Sequence, residues 1–262
     1  MIYEAATIID GLPGPAVDLD VDAFGRWLAI CKRGRNLMVA TQGGEFEVPR
    51  RLDFPLVRWT GSGDVVVVDT RTNKGRANAF IFTPDGQEQA HFSVGDGVAD
   101  VVAVGDRLVV TYFDEGIFGG VAPSEEGLCV FASDGRLEFG YQTGVRDPVD
   151  IADCYCVCPA GRHEVCFVPY TGFPVVRLNI QTRQQKVHDL PKHLAGVSPV
   201  AVSRDAFLLH APYAAKTAMF IWRPGEAGEQ IGTHAGPLRG RANGALLSSG
   251  ERGYTIVTAE PG

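Results

Sequence analysis

The chain has 262 residues, 45 % of them hydrophobic, and a formal net charge of −7. This length fits one large all-β domain spanning residues 1–262, and the apolar share is enough for a sizeable core. The charges of both signs are interspersed, with no basic stripe, so neither nucleic acid nor an anionic membrane surface is expected as a partner.

In chain order, residues 2–9 read as a strand with no neighbour of their own. Apolar, β-branched runs then recur, each bounded by turn residues; Val65-Val66-Val67-Val68, Leu108-Val109-Val110-Thr111-Tyr112 and Tyr254-Thr255-Ile256-Val257 are the clearest. One series of tight turns falls at Gly25-Arg26, Gly63-Asp64, Gly105-Asp106, Gly161-Arg162, Arg204-Asp205 and Glu251-Arg252. A second series falls at Gln42-Gly43-Gly44, Pro84-Asp85-Gly86, Ser133-Asp134-Gly135, Thr182-Arg183 and Pro224-Gly225. Asp-Gly and Gly-Gly suit the positive φ angles of hairpin turns. The best helical candidate, Leu190 to Gly196, is about two turns at most.

Six such units in 262 residues give about 44 residues each, the length of one four-stranded propeller blade. A blade buries both faces only against neighbours in a ring. The unit beginning near Gly236 shows just two strands, Ala245–Ser248 and Tyr254–Ala259. The unpaired N-terminal strand completes it. The expected fold is therefore all-β: a single β-propeller, six four-stranded blades closed by pairing of N- and C-terminal strands.

The connections alternate in character. One face receives the short turns; the other receives longer polar loops, including Lys32–Arg35, Asp69–Arg76, Asp114–Gly127, Tyr170–Pro174 and Ala211–Lys216, and linkers such as Arg50–Asp53 and His234–Asn243. Binding residues concentrate on loops presented by a rigid scaffold. The longest loop opens with Asp114-Glu115 between aromatics, a pair suited to a cation, a metal or acid–base work, or to a solvated loop stapled by its aromatics. A charge stands near the start of several first strands (Asp18, Arg58, Asp100, Asp147 and Asp150), which predicts a mixed-sign ring at the channel mouth.

Cys154, Cys156 and Cys158 alternate, so on a regular strand they share one face, with Cys166 on the next strand. Three thiolates at that spacing span roughly 13 Å, too far for one zinc ion without a sharp bend, and buried packing is the expected role. No metal ligand set and no cofactor is predicted. No basic-then-apolar leader stands at residues 1–4, and no run nears ~20 apolar residues. The expected location is cytoplasmic, with the cysteines as reduced thiols.

The segments Tyr112-Phe113-Asp114-Glu115-Gly116-Ile117-Phe118-Gly119, Gly127-Leu128 with Phe131, Asp153-Cys154-Tyr155 and Tyr170-Thr171-Gly172-Phe173-Pro174-Val175-Val176-Arg177 resemble an uncharacterised bacterial β-propeller-like protein family. The resemblance covers about residues 105–180 and departs after Tyr155, at Cys156-Val157-Cys158. It implies that the Asp-Glu loop and the Tyr-Thr-x-Phe-Pro loop form one feature on adjacent blades. It implies no reaction.

These features predict a non-catalytic module that binds a small molecule or a protein through its loop-rich face. The candidate ligand-binding residues are Asp114, Glu115, Tyr170, Phe173, Asp153, Asp150, Asp100 and Arg58. The alternative is a lactonase- or glycosidase-like hydrolase or lyase using the Asp/Glu site, with or without a divalent metal. A third class, assembly into a larger complex, would expose Ile117, Phe118 and Val121.

Overall fold

The computed structural model describes residues 1–73 and 75–259. Strand β1 (Ile2–Ile8) leads into five complete blades. Blade 1 holds β2 (Ala16–Val21), β3 (Trp27–Arg33), β4 (Asn36–Thr41) and β5 (Gly44–Val48). Blade 2 holds β6 (Pro55–Trp59), β7 (Val65–Asp69), β8 (Ala79–Phe82) and β9 (Glu88–Phe92). Blade 3 holds β10 (Val98–Val104), β11 (Arg107–Tyr112), β12 (Leu128–Ala132) and β13 (Leu137–Gly140), with single helical turns α1 (Asp114–Ile117) and α2 (Tyr141–Gly144) in its connections. Blade 4 holds β14 (Asp153–Gly161), β15 (Glu164–Tyr170), β16 (Val175–Asn179) and β17 (Gln185–His188). Blade 5 holds β18 (Val200–Ser203), β19 (Ala206–His210), β20 (Ala218–Trp222) and β21 (Glu229–Thr233). Blade 6 is β22 (Arg239–Gly240), β23 (Ala245–Gly250), β24 (Gly253–Ala259) and, outermost, β1. The protein is a six-bladed β-propeller.

The run Val65–Val68 shows why the ring forms. All four valines are buried. Val65 and Val67 pack with Leu28 and Ile30 of blade 1, whereas Val66 and Val68 pack with Val101 and Val110 of blade 3. Period-two alternation thus feeds two interfaces at once, and the core of the molecule lies between blades. Adjacent turns approach backbone to backbone: a methyl group on Gly61 would overlap the carbonyl oxygen of Gly105.

Blade 6 departs from expectation in one respect. Its innermost strand is the two-residue β22, and Gly240 there lies against the Val200 carbonyl of blade 5 and the Cys158 side chain of blade 4. Only a residue without a side chain fits so close to both neighbours. Because β22 exists, Glu251-Arg252 joins the second and third strands of its blade, not the first and second as the turn series suggests. It therefore emerges with the loops. The true first turn of blade 6 is 241–244, where Gly244 packs on Ser203 at the end of β18. The loop expected at Lys32–Arg35 shrinks to Gly34-Arg35, since β3 runs through Arg33.

Closure rests on the β1–β24 ladder, which runs in unbroken register from Ile2↔Ala259 to Ile8↔Gly253. A methyl group at Gly253 would collide with the carbonyl oxygen of Thr7. Gly253→Ala is expected to cost ~1–3 kcal/mol through strain at this junction, a melting-temperature loss of roughly 2–10 °C. Gly43→Ala, where the nearest atom is Thr41 Oγ1 at 3.6 Å, is expected to melt like the parent. Equal melting of both variants would show that closure does not depend on this contact.

Candidate functional site

The inner strands carry charge on one side of the channel. Arg58 of β6 is 3 % exposed and ties three blades. Its guanidinium donates to Asp18 of blade 1, to Asp100 Oδ1 of blade 3 at 2.5 Å, and to the Val101 carbonyl at 3.0 Å. Burial works to discharge Arg58, but Asp100, Asp18 and Asp20 outweigh it and hold the cation firmly. Asp20 is likewise opposed by burial, yet Arg239 and Arg58 pull it below the usual carboxylate range. Arg239 of β22 donates to Asp20 at 2.8 Å. The mixed-sign ring therefore exists, but with a different membership: Asp18, Asp20, Arg58, Asp100 and Arg239. Asp147 and Asp150 lie exposed in the link before β14, outside the ring. Arg58 and Asp100 are saturated by one another and by the backbone, so they act as structure at this point.

On the loop face, the Asp-Glu pair splits. Both residues start α1, the single helical turn that replaces an extended loop end. Glu115 is held away by Arg71 of blade 2, which donates to it at 2.5 Å and to Asp96 at 3.2 Å. Arg71 also lies 5.5 Å from the ring of Phe113. Asp114 turns toward blade 4 instead. There Asp153, the first residue of β14, is half-buried and accepts no hydrogen bond among the described residues. Burial raises the Asp153 pKa, and the neighbouring Asp114 carboxylate raises it further. Of the side chains whose exposure would mark an assembly surface, Ile117 is buried and Phe118 is exposed.

Asp153 pairs across the ladder with Tyr170. Tyr170 belongs to a four-ring cluster that sequence reading saw only in part. Tyr155 stacks on Tyr170 with centroids 6.1 Å apart and planes 11° apart, and Phe173 meets both edge-on at 5.2 and 5.4 Å. Tyr213 of blade 5 closes the group, 5.3 Å from Phe173, and shares a hydroxyl–hydroxyl hydrogen bond with Tyr155. That bond first, and burial second, raise the Tyr155 pKa. Phe173 is the buried centre of the cluster; Tyr170 and Tyr213 are exposed. Gly196 is required beneath Tyr213, because any Cβ there would overlap its ring. Asp153, Tyr155, Ser198, Tyr213 and Lys216 border an open basin of about 530 Å³.

A bulge puts Tyr155 on this surface. The β14–β15 register shifts between Cys154 and Cys156, so two residues oppose one. The alternation expected of the three cysteines is broken there. Cys154 packs into the interface with blade 3, whereas Cys156, Cys158 and Cys166 pack into the interface with blade 5. All six thiols are free and buried. Burial pushes the Cys154 thiol up to about 12, so it is an inert packing group at neutral pH.

No protein-family model matches the chain, and no curated protein sequence does. Solved structures do match. A virginiamycin B lyase from Staphylococcus aureus aligns over 99 % of this chain and 100 % of its own, with a TM-score of 0.57 and 9 % identity. A streptogramin B lyase aligns over 99 % and 98 %, with a TM-score of 0.56 and 11 % identity. BamB from Moraxella catarrhalis aligns over 100 % and 99 %, with a TM-score of 0.51 and 12 % identity. The chain shares the fold of these proteins. No helix among the described residues is long and apolar enough to cross a membrane.

The raised Asp153 pKa carries a sign. From the ordinary value of 3.8 upward, the native state holds its proton where the unfolded chain releases it, so stability falls as pH rises through that window. Asp153→Asn removes the charge and keeps the shape. The variant is expected to melt above the parent at pH 7, with the gap closing as pH falls below 3.8. Thermal melts across pH 3–7 check this; a pH-independent gap would place Asp153 in an ordinary solvated setting.

Proposed function

We propose that the protein is a non-catalytic binding propeller whose loop face takes a cationic or donor-rich ligand, either a small molecule or a protein segment. One observation carries the reading: Asp153 is half-buried, sits beside the Asp114 carboxylate and receives no donor among the described residues, yet adjoins the Tyr155–Tyr170–Phe173–Tyr213 cluster. Two like charges without a donor raise the energy of the unliganded protein. A ligand that brings a cation or N–H donors relieves that cost, and the exposed faces of Tyr170 and Tyr213 supply apolar and cation–π contact. Asp114, Asp153, Tyr170 and Tyr213 are the binding residues in this reading, with Phe173 as the packed base. Glu115 positions the Asp-Glu loop through Arg71.

A second reading, a hydrolase or lyase, draws on the same carboxyl pair. Asp153 is shifted toward the protonated state while Asp114 is exposed, and a carboxyl pair in unlike settings is how acid and base roles are divided. Two of the similar structures are lyases, which raises this reading by fold analogy alone.

The test is a thermal-shift titration of the full chain with spermidine, choline and arginine methyl ester, against neutral sucrose and anionic citrate. At least one cation is expected to raise the melting temperature saturably. Asp114→Asn with Asp153→Asn is expected to abolish that rise, and Tyr213→Ala to weaken affinity about tenfold, the scale of an aromatic anchor. Stabilisation that survives the double variant, or that sucrose matches, would sink the proposal. Chemical conversion of a bound probe, lost on Asp153→Asn, would move the assignment to the second reading.

A further inference from the structure

The turn face holds a cavity of about 340 Å³ at the other end of the channel, within the size range of small-molecule sites. We propose that it is a second ligand site, which takes a small organic anion: a carboxylate or phosphate attached to a planar apolar body.

The charges balance, with the carboxylates of Asp18, Asp20, Asp22 and Asp100 set against as many guanidinium groups, and it is their uneven pairing that points to an anion. Four guanidinium groups border the cavity, those of Arg26, Arg58, Arg239 and Arg241. Three have carboxylate partners: Arg58 with Asp18 and Asp100, Arg239 with Asp20 at 2.8 Å, and Arg26 with Asp22 at 2.6 Å. Arg241 has none. Its Nε and one terminal nitrogen donate to the Val21 carbonyl at 3.0 and 2.7 Å, and the same terminal nitrogen donates to the Asp22 carbonyl at 2.6 Å. These oxygens fix the plane of the guanidinium without cancelling its charge. The other terminal nitrogen, Nη1, has no hydrogen-bond partner among the described residues. Burial pulls the Arg241 pKa below the usual arginine range; Asp20 partly opposes this and Arg239 adds to it. A pre-oriented arginine beside a cavity suits carboxylate or phosphate oxygens.

The wall supplies the second half of the specificity. Trp59 lies under the Arg26 guanidinium at 5.0 Å, and its indole nitrogen donates to the Arg26 carbonyl at 3.0 Å, so the ring is fixed. Phe24 stands at the rim with 87 % of its surface exposed, 6.0 Å from the same guanidinium. Phe24 and Arg241 border the same cavity, so in this proposal the planar body of a ligand held at Arg241 packs on the Phe24 ring. Asp114, Asp153, Tyr170 and Tyr213 do not border this cavity, so this site stands or falls independently of the proposed function.

The experiment titrates the full chain with phenyl phosphate, benzoate and neutral benzamide by isothermal calorimetry. One or both anions are expected to bind saturably at least tenfold more tightly than benzamide, and the tighter of the two assigns the anionic group. Arg241→Gln is expected to cost about tenfold or more, the scale of a charge-assisted hydrogen bond. Because Arg241 also braces two carbonyls, Phe24→Ala serves as the variant that leaves folding intact; it is expected to cost about threefold to fivefold by loss of ring contact. Asp153→Asn is expected to change nothing. Equal binding of benzamide, no saturation at millimolar anion, or anion affinity unaltered in both variants overturns the proposal.

Discussion

A single buried cation sets the geometry of the channel. Arg58 cannot lie at 3 % exposure without compensation, and removing one partner of such a group costs on the order of 3–5 kcal/mol. It is compensated by carboxylates from the blades on either side, so blades 1, 2 and 3 are held at fixed spacing along the axis. The Arg239–Asp20 pair extends the same arrangement to blade 6. Blades 4 and 5 present Cys156, Val157, Cys158, Val200 and Ala201 instead, all buried. Four of the six inner strands therefore carry the ionic layer and two are apolar. Arg58 and Arg239 border both the turn-face cavity and the pocket leading to the loop face, so the ionic layer stands between the two.

The ring was legible because its physics is local. Val65–Val68 is hydrophobic at every position, as a strand buried on both faces must be, and the Asp-Gly turns at Asp85-Gly86 and Asp134-Gly135 mark the outer hairpins. What stayed hidden was small in residue count and large in consequence. β22 is two residues long and carries no apolar signature, since Arg239 pairs with Asp20 and Gly240 is chosen for closeness to Val200 and Cys158. Missing it moves Glu251-Arg252 to the wrong face. The bulge beside Tyr155 is equally invisible to period-two reading, which puts all three cysteines on one surface.

The loop-face site was legible in its loops and not in its contacts. Asp114, Asp153, Tyr170 and Phe173 come together because their loops sit on adjacent blades. Glu115 does not join them, and nothing near it in sequence says so; Arg71, its partner, belongs to the preceding blade. Tyr155 and Tyr213 were within named segments but not among the binding candidates, for a related reason. One sits in a strand whose register is broken, and the other in a polar loop whose only signal is the Gly196 that makes room for it. Arg241 was assigned to a linker on the opposite face, an error that follows directly from the missing inner strand.

The bulge at Tyr155 also links surface to interior in a way that limits how this protein can change. One inserted residue turns Cys154 toward one neighbour and Cys156 toward the other, and lifts the tyrosine ring onto the loop face. Deleting a residue there would restore simple alternation only by removing a group that now fills either the aromatic cluster or one of two packed interfaces. Point substitutions at Tyr170 or Tyr213 face no such penalty. Drift in ligand preference is therefore open at the edges of the aromatic cluster and closed at its root, so divergent copies of this chain should differ in the outer rings while retaining the extra residue in β14.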